Sequence, residues 1–200
     1  MSTTFHSKLF LKAFDEQLEA DVDIIVDDRT IKANKFVLSA NSSVLRIELN
    51  GDWRESHERR VVVEHSSYEA MLQLVRGMYS GELFIRNVDL AIEIFEAAHY
   101  YQCDNLKQIA HDYLLVKDYH KRNVIGVLKL ADLHSLPQLT SRVAAFLNDH
   151  QLDLEAMPHF DDVRDKPTVT AALYKSLSTI CKKQNDEIKQ LKAALSAVVL

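Results

Sequence analysis

Two hundred residues with a formal net charge of −5 exclude the clustered Lys and Arg of a nucleic-acid-binding footprint. Two cysteines exclude a disulfide framework or a zinc signature, and no apolar run is long enough for a membrane span or laid out as a signal peptide. A chain with 47% hydrophobic and 26% charged residues can still bury a sizeable core, so the expectation is one domain, or one domain with an appendage, in the cytoplasm or nucleus.

Phe5, Leu9, Phe10, Phe14 and Leu18 recur at helical spacing and predict a first helix with a wide apolar stripe. Val22, Ile24 and Val26 then follow the period-two pattern of a half-buried strand, and Asp27, Asp28 and Arg29 are turn material. Thr30 to Ala33 pairs back as the second strand of a hairpin. From Lys35 the period becomes helical through Phe36, Val37 and Ala40, and Asn41, Ser42 and Ser43 break that helix and cap the next, Val44 to Leu49. "GDWRESHE" is a polar loop holding one large aromatic, Trp53, and Val61 to Val63 form a short apolar strand.

Ser66 and Glu69 have capping-box spacing at the head of "YEAMLQLVRGMYSG", Gly81 ends that helix, and "ELFI" reads as an edge strand. Asn87 caps "VDLAIEIFEAAHYY", and a further helix runs from Asp104 to Leu115. Two more follow, Val124 to His134 and Pro137 to Asn148, the second with Ser135 as cap, Pro137 in its first turn and Gln138 as capping-box partner. His150 to Lys166 is a polar, acidic connection. Pro167 opens a last helix, whose apolar positions step by three and four with a break at Gln184. A short coiled coil and a helix packed on its own domain both satisfy that pattern.

Strands are confined to the first half, which defines an α+β module with an all-α extension. Catalytic and metal signatures are absent. His99 and Cys103 lie one helical turn apart without a second ligand pair, and read as a buried, non-ligating pair. Asp27–Asp28 and Asp161–Asp162 read as turn residues, and no phosphate-cradling loop or nucleophile elbow occurs. The expectation is a protein that is not an enzyme and carries no cofactor or metal. A first helix that is apolar on two sides wants two partners, and the second is expected to be another copy of the chain.

Asp21-Val22-Asp23-Ile24, Ala33-Asn34-Lys35, Val37-Leu38, Ser42-Ser43, "MYSGEL" and "EAAHYYQCDNLK" occur in the order of the BTB/POZ signature, which the chain resembles. "VLKLADLHSLPQLTSRVAAFLNDH" and "PTVTAALYKSLS" are similar to the helical extension after the BTB domain of speckle-type POZ (MATH-BTB) proteins, the 3-box and partial BACK region. The usual His of the Ala-His-Lys element is Asn34 here, and no MATH, Kelch or zinc-finger segment is read in the 200 residues.

The resemblance implies a BTB/POZ fold divided as residues 1–20, an N-terminal dimerisation helix; 21–117, the BTB domain; 118–180, the 3-box and partial BACK helices; and 181–200, a helical tail. It implies a homodimer through Leu9, Phe10 and Phe14, with Val37 against the partner copy. It also implies a second self-contact at Tyr174 and Leu177. The function implied is that of an adaptor binding cullin-3 and recruiting a protein substrate to a RING-type ubiquitin ligase. The cullin-binding triplet falls on Trp53-Arg54-Glu55, with Trp53 as anchor, Glu55 accepting hydrogen bonds, and Tyr101 and the helices after Asp118 extending the face. The competing reading is a self-association scaffold or transcription-linked dimer that meets no cullin. Neither reading involves nucleic acid or membrane contact.

Overall fold

The computed structural model describes residues 5–51, 58–153 and 156–198. It divides into two units, residues 1–117 and 118–200.

The first unit is built on a three-stranded sheet with β1 (Val22–Val26) between β2 (Arg29–Ala33) and β3 (Arg60–Val63). β1 and β2 form an antiparallel hairpin in which Val22 faces Ala33 and Val26 faces Arg29. Asp27 and Asp28 make its two-residue turn with φ of 47° and 59°. Two left-handed residues in succession match the twist of a tight hairpin, and aspartate tolerates that region better than most side chains. β3 runs parallel to β1, Ile24 facing Val61. The alternation in β1 buries Val22, Ile24 and Val26 and leaves Asp23 and Ile25 partly open.

Helices cover the sheet. α1 (Phe5–Asp15) and α2 (Lys35–Asn41) both pack on α4 (Tyr68–Ser80), while α3 (Ser43–Asn50) packs on α2. α5 (Val88–Tyr100) lies against α4 and against α6 (Asp104–Val116). Ile24, Leu38, Leu45, Leu49, Met71 and Leu74 are among the fully buried residues at the centre.

Several local expectations are corrected. The first helix ends at Asp15 and Gln17 turns left-handed at φ 54°, so Leu18 lies beyond the stripe. Ser67 rather than Ser66 caps α4, accepting the Ala70 N–H at 3.2 Å. "ELFI" forms no strand: Ser80 Oγ exchanges hydrogen bonds with the Glu82 backbone, and the segment is a connection. Asn87 caps α5 as expected, accepting the Leu90 N–H at 2.8 Å.

In the second unit α7 (Val124–Leu133) packs on α8 (Pro137–Asp149), and α8 packs on α10 (Pro167–Val198). Pro137 occupies the first turn of α8, but the preceding position is Leu136 with no side-chain cap, and Ser135 sits at φ 53°. The His150–Lys166 connection is more structured than its polar composition suggests. It contains α9 (Asp161–Arg164), and Met157 and Val163 are buried. Asp161 pairs with Arg164 at 2.8 Å and Asp162 pairs with Lys129 of α7, so these acids start a helix and fasten it. Tyr119 is buried edge-on to Phe146, its ring 5.9 Å away, with the Arg142 guanidinium 5.3 Å above the Tyr119 ring. No helix among the described residues is long and apolar enough to cross a membrane.

Candidate protein-binding surfaces

α1 uses one face and leaves the other open. Phe14 is half-buried with its ring 5.0 Å from that of Tyr79, and Arg76 of α4 holds Asp15 at 2.8 Å. Leu9 and Phe10 point away, 56% and 46% exposed. The three residues expected at the dimer contact therefore divide: two are free of the core and Phe14 is shared with it. Val37 is a correction. It is buried in the core, because α2 turns it and Leu38 inward on α4, and its neighbour Phe36 is the exposed residue, at 78%. The pattern Phe36-Val37-Leu38 is apolar throughout, so the sequence alone does not say which residue is left outside.

Two further exposed apolar side chains lie on α3 and at the end of α5. Ser42 caps α3 by accepting the Leu45 N–H at 3.0 Å, and its own hydroxyl donates to the Tyr101 carbonyl at 2.6 Å. Ser43 hydrogen-bonds Gln102, which takes φ 55° at the corner between α5 and α6. α3 is thus fastened to the end of α5. Ile47 on α3 is 62% exposed and Tyr100, the last residue of α5, 54%; the Tyr100 ring lies 6.2 Å from that of His65. Sequence reasoning missed both residues, since each is one more apolar position in an apolar helix.

Tyr101 sits in the core rather than on this surface, 4% exposed, edge-on to Tyr100. Burial is the largest cause holding its phenol above the usual range, with the Glu48 charge adding to it. Its part is to anchor α3 through its carbonyl, a positional role behind the exposed Tyr100. Trp53, Arg54 and Glu55 lie outside the described residues; α3 runs up to Gly51, whose N–H bonds the Ile47 carbonyl at 2.9 Å.

His99 is exposed while Cys103 is buried, correcting the expectation of a buried pair. Burial pushes the Cys103 thiol up to about 12, against a small lowering by Ser42. Among the described residues no group of three or more His, Cys, Asp or Glu is placed to hold a metal ion. In the second unit, Tyr174 and Leu177 together line a groove of about 560 Å³ with Leu147, Leu152, Phe160 and Leu173. Tyr174 is the exposed one, at 77%.

The first unit is thus a three-stranded sheet wrapped by helices, with α1 packed on α4 and its Leu9 and Phe10 left exposed. The BTB/POZ domain family matches residues 10–118, and the chain belongs to that family. Its domains are of adaptor type and generally non-enzymatic.

Among curated relatives, Kelch-like protein 24a of Danio rerio is 29% identical over 92% of this chain and 31% of its own length. Kelch repeat and BTB domain-containing protein 4 of Mus musculus is 30% identical over 73% of this chain and 27% of its own. Protein maternal effect lethal 26 of Caenorhabditis elegans is 26% identical over 77% and 39%. The chain therefore spans between about a quarter and two fifths of the length of these relatives. The solved BTB domain of human gigaxonin aligns over 56% of this chain and 94% of its own, at 22% identity and a TM-score of 0.46. These relatives are BTB proteins, Kelch-like ones among them, and do not single out the speckle-type group.

Proposed function

We propose that this chain is a homodimeric BTB adaptor that binds cullin-3 and helps recruit protein substrates to a cullin-RING ubiquitin ligase, acting in the cytoplasm or nucleus. The observation that carries the reading is the exposed pair Ile47 and Tyr100, on two elements that Ser42 and Ser43 hold together. An aliphatic and an aromatic side chain on a rigid support, on a unit whose chain goes on to Trp53, supply the anchors that protein interfaces favour. Leu9 and Phe10 support the dimer, because two adjacent large apolar residues gain most by covering each other's counterparts across a two-fold axis. The Trp53-Arg54-Glu55 triplet supports cullin-3 as the partner through the family resemblance.

The experiment is co-elution of the purified chain with the cullin-3 N-terminal domain, with light scattering on the peak. The reading expects a complex with one cullin domain per protomer, lost on Ile47→Asp. Separate elution of the wild-type proteins would leave a BTB self-association scaffold in its place.

A further inference from the structure

Helix α10 carries two apolar stripes, and its own unit uses only one. Val169 and Leu173 are each 4% exposed, and Ser176 Oγ lies 3.4 Å from Ser141 Oγ of α8. Other positions turn outward: Tyr174 is 77% exposed, Ile188 48% and Leu191 66%, with Cys181 and Gln184 also exposed. Leaving out Val169, Leu173 and Ile180, a heptad remains that starts at the rim of the groove lined by Tyr174 and half-buried Leu177 and is exposed at every position from Cys181 through Ala193. Tyr174, Cys181 and Ile188 occupy its a positions, and Leu177, Gln184 and Leu191 its d positions. The sequence continues the register with Leu195 at a and Val198 at d. The break at Gln184 comes from counting both stripes as one.

We infer that this seam binds the same helix of a second copy in a parallel two-stranded coiled coil. The outer heptad positions hold Lys182, Lys183, Asp186, Lys189 and Gln190, all exposed, as such a pair requires. Charge chooses the occupant and its direction. In a parallel pair each g position faces the partner's next e position. Glu187 is at g and Lys192 at the following e, so two copies set Glu187 of each against Lys192 of the other.

An antiparallel pair brings g to g and e to e. The g positions Leu173, Ile180, Glu187 and Ala194 contain no cation, and the e positions Ser178, Asn185 and Lys192 contain no anion, so no complementary pair forms. Gln184 fixes the register, because a slip would set its amide against Ile or Leu. From Tyr174 to Val198 the seam runs about 36 Å at 1.5 Å per residue. A helix of that length with little support from its own unit gains its packing from the partner. This contact does not depend on cullin binding.

Cys181 reports the geometry. A parallel, in-register pair brings the two Cys181 thiols together, whereas an antiparallel pair separates them; the other cysteine, Cys103, is buried. The test incubates the full chain with oxidised glutathione. The two thiols give up two protons and two electrons, an interchain S–S bond forms, and glutathione leaves as two reduced molecules. Wild type is expected to give a disulfide-linked dimer and Cys181→Ser none. Ile188→Lys with Leu191→Lys, at exposed positions, should slow the linkage about tenfold or more. Glu187→Lys should slow it too, and Glu187→Lys with Lys192→Glu should restore it. No linkage in wild type, linkage at wild-type rate in the Ile188/Leu191 variant, or a charge swap that fails to recover would each overturn the assignment.

Discussion

Asn34 and Tyr79 exchange two hydrogen bonds. The Asn34 backbone N–H donates to the Tyr79 hydroxyl at 2.6 Å, and that hydroxyl donates to Asn34 Oδ1 at 2.9 Å. Asn34 Nδ2 then donates to the carbonyls of Leu18 and Glu19 at 3.1 and 2.6 Å. Those carbonyls belong to the connection between α1 and β1, where Gln17 and Glu19 hold positive φ. One amide thus ties the exit of α1, the end of the hairpin and α4. A neutral imidazole at this position has one N–H and cannot serve both carbonyls while accepting from Tyr79.

Asn34→Ala should therefore cost about 1–3 kcal/mol and Tyr79→Phe about 0.5–1.5 kcal/mol in chemical denaturation. The double variant should cost less than the sum, since each single change already breaks the shared bond. Strict additivity would show that the two groups act separately.

Alkaline pH should destabilise the first unit. Burial raises the Cys103 thiol from an ordinary 9.0 to about 12 in the folded chain, so the folded state keeps a proton that the unfolded state has lost. Stability is then full below the ordinary value and falls as pH rises towards the folded one. Tyr79 and Tyr101, raised chiefly by burial, add the same sign from their ordinary 10.0 upward. Melting temperature measured across that range should decline, and Cys103→Ala should flatten the part between 9.0 and about 12. A profile that rises with pH, or one that Cys103→Ala leaves unchanged, would contradict this.

If the proposed dimer forms through α1, Leu9→Asp with Phe10→Asp should give a monomer with nearly unchanged melting temperature, because both side chains are already exposed within the protomer. Phe14→Asp should instead lower the melting temperature, since it places a carboxylate beside the Tyr79 ring. Light scattering and calorimetry on the same samples separate the two effects.

Local patterns were the legible part of the fold. The alternation of Val22, Ile24 and Val26, the Asp27–Asp28 turn, the Ser42 and Asn87 caps and Gly81 at φ 73° all follow from residues within a few positions of one another. The parallel pairing of β1 with β3 joins segments more than thirty residues apart and leaves no local signature. Ser66 and Ser67 are chemically equivalent caps, and only the Ala70 N–H distinguishes them. The candidate surfaces were half legible for the same reason. Tyr100 and Tyr101, or Phe36 and Val37, differ by one helical step, and which one meets the core depends on where α3 and α4 lie. Tyr101 is buried, with its carbonyl accepting from Ser42, while Tyr100 one step earlier stays outside.

The central claim is tested most directly by titrating purified cullin-3 N-terminal domain into the wild-type chain and the Trp53→Ala, Glu55→Ala variant, with heat as the readout. Trp53 is the proposed anchor and Glu55 the acceptor that fixes the register, so truncating both should weaken binding by roughly 30-fold to 1000-fold. Dimer mass and melting temperature should be nearly unchanged. Equal affinity of variant and wild type, or no heat from the wild-type chain at all, would contradict the account.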